Sequence, residues 1–381
     1  MFTLPNIEIR EAIEIDGVAL VSMADERLLT LASRHKRFAM YLNRFTTEFG
    51  QQVSPSVILV RKDKLAIYRS AEALAGFRDV IAISIIPYAW SHVLRYENNH
   101  GIKYSNWFMF YPWITDNKWE HVVMQSLAQL ALHEVKAMKG QTSPGISPER
   151  LMPNMLDNAL LPALLKRWVK RFGTPNPPTE DMSLFYSLNM AMAAAGLPGN
   201  VEVTMYDLGR SVALWVSAFE ILTDKGTCEA VYRLLDSTKW NLSTNTEPIY
   251  EPHKHKQGQP KRPLYIWLYG AMHHARNDFI HGNPISDSRL IVAPGKRPLT
   301  LYTAMLYRMA LAAFLDLQPP VIVPTEGETE YEAHWRLHHD FGIYQSDIEA
   351  AISTILYTAE EYREIRQGRV DAAMARSAIG R

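Results

Sequence analysis

Between Phe172 and Asp181 the chain reads GTPNPPTE, with Pro175, Pro177 and Pro178 in four consecutive positions. No helix passes through such a stretch, and no central strand does, because proline fixes φ and removes the backbone donor. The chain must therefore organise itself separately on either side. Downstream the pattern is almost purely helical. Leu208, Val212, Trp215, Phe219 and Leu222 recur at three- and four-residue steps, and so do Leu264, Trp267, Leu268, Ala271, Ala275 and Phe279. Met182 to Ala195, Leu301 to Leu315 and Ile343 to Arg363 read as three more helices, giving an all-helical bundle over 181–381.

Upstream, residues 1–172 mix strand and helix signals and read as an α/β domain, with a sensing or regulatory role as the expectation. Asp16-Gly17 between Ile15 and Val18 predicts a tight hairpin turn. Ser56–Val60 and Leu65–Tyr68 flank a polar tetrapeptide and predict a second hairpin. Asp25 to Phe49 carries no Pro or Gly and predicts one helix up to its last residue before Gly50. Tyr104 to Ile114 is aromatic and predicts a strand; Lys118 to Met138 and Leu156 to Arg171 predict helices. The fold class expected is thus mixed α/β followed by an all-α bundle, predominantly helical overall.

Composition limits the partners. Forty Lys plus Arg balance forty Asp plus Glu, so no net field steers the chain to a polyanion, although a local basic groove is compatible with neutrality. A single cysteine, Cys228, excludes an internal disulfide and a cysteine zinc cage. Met1 to Arg10 has no basic start followed by an apolar run, and the longest apolar run, Val80 to Trp90, is short for a bilayer. The expectation is a cytoplasmic protein with no membrane partner.

The segment that carries chemistry is His273-His-Ala-Arg-Asn-Asp-Phe-Ile-His-Gly-Asn-Pro284. Gly282 stands where a left-handed helix cap needs it, and Pro284 prevents continuation. His281 then lies at a helix C-terminus, whose dipole favours imidazolium. A histidine that titrates near neutrality and a permanently charged guanidinium, Arg276, make a plausible phosphodiester-cleaving pair.

Arg-Asn-x-x-x-His-Gly at a helix end resembles the signature of HEPN domains, and most of all the abortive-infection, ApeA-like antiphage type. Trp215-Val-Ser-Ala-Phe-Glu-Ile-Leu222 resembles that family's preceding helix, and Leu301 to Leu315 its following one; the likeness covers roughly 181–320. The resemblance implies a metal-independent endoribonuclease, a toxin or antiphage effector, in which a ribose 2′-hydroxyl attacks the adjacent phosphorus. It assigns His281 the acid or base role, Arg276 the phosphate clamp, Asn277 an orienting role, and Glu220 a pairing that fixes Arg276. It implies RNA as substrate, no cofactor, no metal, and a homodimer. Residues five apart point about 140° from each other on an ideal helix. The family answers this by facing two copies of the motif across a two-fold axis.

The same residues admit blander roles. Arg276 pairs with Asp278 or Glu220 merely structurally, His281 only caps its helix, and the domain is a catalytically silent binding or dimerisation module. Arg95 and His100, also followed by Gly, repeat the spacing outside this context. The basic loop His253 to Arg262 offers Lys254, Lys256, Lys261 and Arg262 as phosphate contacts, with His274 beside them, or is simply solvated. His334 and His338 have the i, i+4 spacing of helical metal ligands but lack the intervening glutamate of zinc proteases.

Overall fold

Asp16 and Gly17 both take positive φ, 44° and 77°, the conformation a tight hairpin demands. The turn pairs Ile13–Ile15 antiparallel with Val18–Val21, as the dipeptide predicts. The computed structural model describes residues 2–43, 45, 51–96, 101–110, 113–115, 121–124, 134–136, 148–196, 204–223, 225–252, 260–283, 287–292 and 295–368. The protein is mostly helical, with small sheets in its N-terminal part and one two-stranded ladder, Ile291–Val292 with Arg297–Pro298, in its C-terminal part. It divides into two compact units, 1–82 with 104–156 and 164–178, and 83–103 with 157–163 and 179–381.

In the first unit the strands Phe2–Leu4, Ser56–Val60, Val18–Val21 and Ile13–Ile15 form one antiparallel sheet in that order. The second predicted hairpin does not form. Both edges of Ser56–Val60 are already occupied, so Leu65–Tyr68 has no strand to join. Ala66–Arg69 closes instead into a 3₁₀ turn that buries Tyr68 and lets its hydroxyl donate to Asp16 at 2.6 Å, beside Lys64. The predicted helix from Asp25 is broken at His35 into Glu26–Arg34 and Lys36–Leu42. Leu28, Phe38, Tyr41 and Leu42, from both sides of the break, share one apolar cluster with Ala19, Val21 and Val57. The aromatic stretch from Tyr104 is 3₁₀ over Ser105–Phe108 and a paired strand at Trp113–Thr115, with 111 and 112 outside the described residues. The helix expected over Lys118 to Met138 is overturned as well: His121–Met124 and Glu134–Lys136 join Trp113–Thr115 in an antiparallel sheet, in keeping with the strand preference of Val122, Val123 and Val135.

The helical unit is built from Ile86–Tyr96, Thr179–Ala194, Met205–Ile221, Cys228–Asp236, Leu264–Ile280, Thr300–Phe314 and Glu330–Ser353. Thr300–Phe314 is its axis. Every residue from Tyr302 to Ala312 is buried, and this helix packs on Met205–Ile221, Ile86–Tyr96, Cys228–Asp236 and Glu330–Ser353. Full burial of each large apolar side chain there contributes roughly 1.5–3 kcal/mol. The Ser187 hydroxyl donates to the Ala218 carbonyl at 2.6 Å and meets the Tyr307 hydroxyl at 2.5 Å, joining three helices. The helix predicted from Ile343 begins at Glu330, where Thr329 and Glu332 form a capping box, and ends in a 3₁₀ turn at Thr354–Leu356. The glutamate-rich stretch Thr325 to Glu332 therefore already contains a helix start.

One feature of the helical unit cuts across the sequence reading. Asp157, before the Pro-rich divide, belongs to it: one carboxylate oxygen accepts from the backbone of Ala159 and Leu160, and the other takes the Arg308 guanidinium at 2.8 Å. The apolar stretch Ala71–Tyr96 is longer than the eleven-residue run suggests, and by length and composition it is one candidate membrane span among the described residues. Its side chains are mostly buried inside the protein, as in a core helix.

Candidate active site

The motif helix Leu264–Ile280 lies against Met205–Ile221, Cys228–Asp236 and two short helices, Ser243–Thr246 and Asp287–Leu290. It ends as the sequence predicts. Gly282 has φ 70°, its N–H donates to Phe279 O at 3.3 Å, and Asn283 N–H donates to Asp278 O at 2.9 Å. This is a Schellman cap, and it closes the last carbonyls of the helix without help from His281. The His281 ring is exposed, and its backbone N–H still donates to Asn277 O at 3.0 Å.

Three of the four predicted catalytic residues converge. Arg276 Nη1 donates to Asn277 Oδ1 at 3.0 Å, and Nη2 approaches Glu220 Oε2 at 3.5 Å. Arg276 Nε is buried with no hydrogen-bond partner. Glu220 sits one residue before the end of its helix with its side chain only 16% exposed. Burial holds its carboxyl above the ordinary range, and the Arg276 charge pulls the other way. Asp278, the other partner considered for Arg276, is taken by Arg289 at 3.3 Å.

His281 is not brought to this cluster within the chain. The helix stays hydrogen-bonded through Ile280, so the angular offset between positions 276 and 281 is not relieved by unwinding. No hydrogen bond or ion pair joins Arg276 to His281 among the described residues. The imidazole that does reach the cluster is His273. Its Nδ1 accepts from Asn277 Nδ2 at 3.4 Å, and its Nε2 lies 3.9 Å from Glu220 Oε1. The sequence held the signal for this, since positions 273, 276 and 277 share one helix face at i, i+3 and i+4.

The predicted substrate contacts are dispersed. Lys254 and Lys256 lie outside the described residues. Lys261 is exposed, 3.7 Å from Glu251. Arg262 is engaged internally: its backbone pairs with Tyr250, and its guanidinium donates to the Tyr232 hydroxyl at 2.8 Å while lying 4.9 Å from that ring centre. His274 is half-buried, its ring 6.1 Å from that of His273.

Behind the cluster, Tyr269 is fully buried with its hydroxyl unpartnered. Burial, and then the Glu220 charge, raise its pKa far above the ordinary phenol value.

The competing positions separate clearly. Arg95 is bound by Asp347 in an ion pair whose two side chains are 17% and 15% exposed, and His100 lies outside the described residues. His334 and His338 place their rings 5.2 Å apart, but Glu332 is occupied by its capping box. Among the described residues no group of three or more His, Cys, Asp or Glu side chains is arranged to hold a metal. Compared with family models, curated proteins and solved structures, the chain gives no match.

Proposed function

We propose that this protein is a metal-independent endoribonuclease of the HEPN type, acting as a toxin or antiphage effector on RNA. The observation that carries the reading is the convergence of Glu220, Arg276 and Asn277 at the end of a capped helix whose terminal imidazole, His281, faces solvent. In this mechanism the Arg276 guanidinium binds the non-bridging oxygens of the scissile phosphate and stabilises the charge that grows on them. Glu220 and Asn277 hold the guanidinium in place. His281 takes the proton of the 2′-hydroxyl or gives one to the leaving 5′-oxygen. The offset between Arg276 and His281 makes a second copy of the chain part of the reaction, with each His281 serving the pair's shared cleft.

A second reading has its own support. Arg276 is held by side chains of its own chain and is separate from His281, as expected of a silent binding or dimerisation module.

The two readings separate in one experiment. The full-length protein and its Arg276→Ala and His281→Ala variants are incubated with total RNA in excess EDTA. Cleavage by the unmodified protein alone, leaving cyclic-phosphate ends, supports the nuclease. Equal background in all three, with the protein folded and dimeric, supports the silent module.

A further inference from the structure

The Asn277 amide is locked in one orientation by its neighbours. Its oxygen accepts from Arg276 Nη1 at 3.0 Å, so its nitrogen must be the atom that faces His273 Nδ1 at 3.4 Å. An amide nitrogen only donates, and His273 Nδ1 therefore carries a lone pair. The neutral imidazole then bears its proton on Nε2, on the side of Glu220 Oε1, 3.9 Å away. Glu220 in turn divides its two oxygens between His273 and Arg276. The four side chains thus form a closed ring of contacts between 3.0 and 3.9 Å long.

We propose that His273 is the positioning residue of this site: through Asn277 and Glu220 it sets whether Arg276 is tied within the chain or turned toward a phosphate oxygen. The inference rests on the reading of Arg276 as a phosphate clamp. When His273 gains a proton, Nδ1–H opposes the Asn277 NH₂, two donors face to face. Turning the amide relieves that conflict and presents its NH₂ to Arg276, which loses its acceptor. The imidazolium simultaneously competes for the Glu220 carboxylate. Arg276 then loses the Asn277 acceptor and shares Glu220 with a second cation, and its buried Nε–H, which lacks an acceptor already, adds to the gain from meeting an anionic oxygen.

The groups that bear on His273 come from several helices. Glu220 faces it from Met205–Ile221. From Cys228–Asp236, Cys228 and Tyr232 act on Tyr269, together with Glu220 and Arg276. On the motif helix, His274 and Tyr269 lie within ring contact and Arg276 is one turn on. Asp287–Leu290 supplies Arg289, which is spent on Asp278, and Ser243–Thr246 holds no titratable group.

The test uses full-length protein and two readouts. In the first, NMR follows histidine ring nitrogens and arginine Nε–Hε signals across the imidazole titration, with His273→Gln and Arg276→Ala identifying the two signals. The Arg276 signal is expected to move with the His273 midpoint and to stay flat in His273→Gln; His273→Asn replaces that variant should it not fold. An Arg276 signal indifferent to His273 overturns the proposal whether or not RNA is cut. In the second, kcat/KM for RNA is measured against pH. The unmodified protein is expected to gain roughly tenfold on the acid side of the His273 titration, about one charge-assisted hydrogen bond, and His273→Gln to lose that limb. A wild-type pH profile in His273→Gln removes the positioning role while leaving the nuclease. Coupled signals without cleavage at any pH remove the nuclease while leaving the coupling.

Discussion

Arg308 Nε donates to Asp157 Oδ2 at 2.8 Å, and the two side chains are 1% and 2% exposed, 151 positions apart in the chain. Gln345 accepts from the same guanidinium at 3.3 Å and donates to Glu349, which is fully buried and receives the backbone N–H groups of Asn241 and Leu242. A charge this deep is tolerated only while it is paired. Asp157→Ala is expected to lower stability by roughly 3–5 kcal/mol by stranding Arg308. Adding Arg308→Met is expected to restore a large part of that loss rather than deepen it. Urea unfolding of the two singles and the double decides the matter: additive losses contradict the pairing.

Gly282 has open space around it, with nothing within 4 Å of where a Cβ would stand. Its φ of 70° is then the whole reason for glycine. Gly282→Ala should cost about 1–2 kcal/mol by backbone strain alone, and Gly282→Asn distinctly less. Thermal unfolding that ranks alanine level with glycine would refute this account.

Asp79 is 2% exposed, and burial lifts its pKa to about 6 against the opposing pull of Arg78. The folded chain therefore holds this proton more tightly than the unfolded one. Its contribution favours folding at pH 4 and is lost as pH rises toward 6. Asp79→Asn should flatten that portion of the stability profile, a difference of the order of 3 kcal/mol between pH 4 and pH 7. A variant with the same slope as the parent between those values would rule it out.

Removing Arg276 takes away the charge that opposes burial at Glu220. In Arg276→Ala the carboxyl should titrate higher still. A folded-state pKa raised above the unfolded one penalises high pH, so the variant's deficit in stability should be larger at pH 8 than at pH 4. Equal deficits at both values would mean that the ion pair at 3.5 Å carries no electrostatic weight.

The helical half was legible because its signals are local: apolar residues at helical spacing, and a glycine where a helix must stop. Residues 205–221, 264–280 and 300–314 match their stripes within a few residues. The misreadings came from tertiary demands that no local pattern carries. Leu65–Tyr68 has strand composition, but its hairpin partner Ser56–Val60 is already paired on both edges. The break at His35 has no proline or glycine to announce it, and residues on both sides of it join the cluster around Val21 and Val57. Asp157 reads as an ordinary residue of the helix predicted over Leu156 to Arg171, because its partner Arg308 lies far downstream. At the site, Glu220, Arg276 and Asn277 were visible from spacing and resemblance. His273 reads from sequence as facing solvent or the core rim, because its Glu220 contact crosses between two helices.

The helical unit is gathered from three separate lengths of polypeptide, 83–103, 157–163 and 179–381. Scissors applied at the proline-rich divide would thus not yield a self-sufficient piece. A fragment starting at Thr179 would carry Arg308 without its counter-ion and leave Tyr344 without the backbone acceptor of Ser84. Any truncation meant to free this half for study has to be redrawn from inside the first hundred residues.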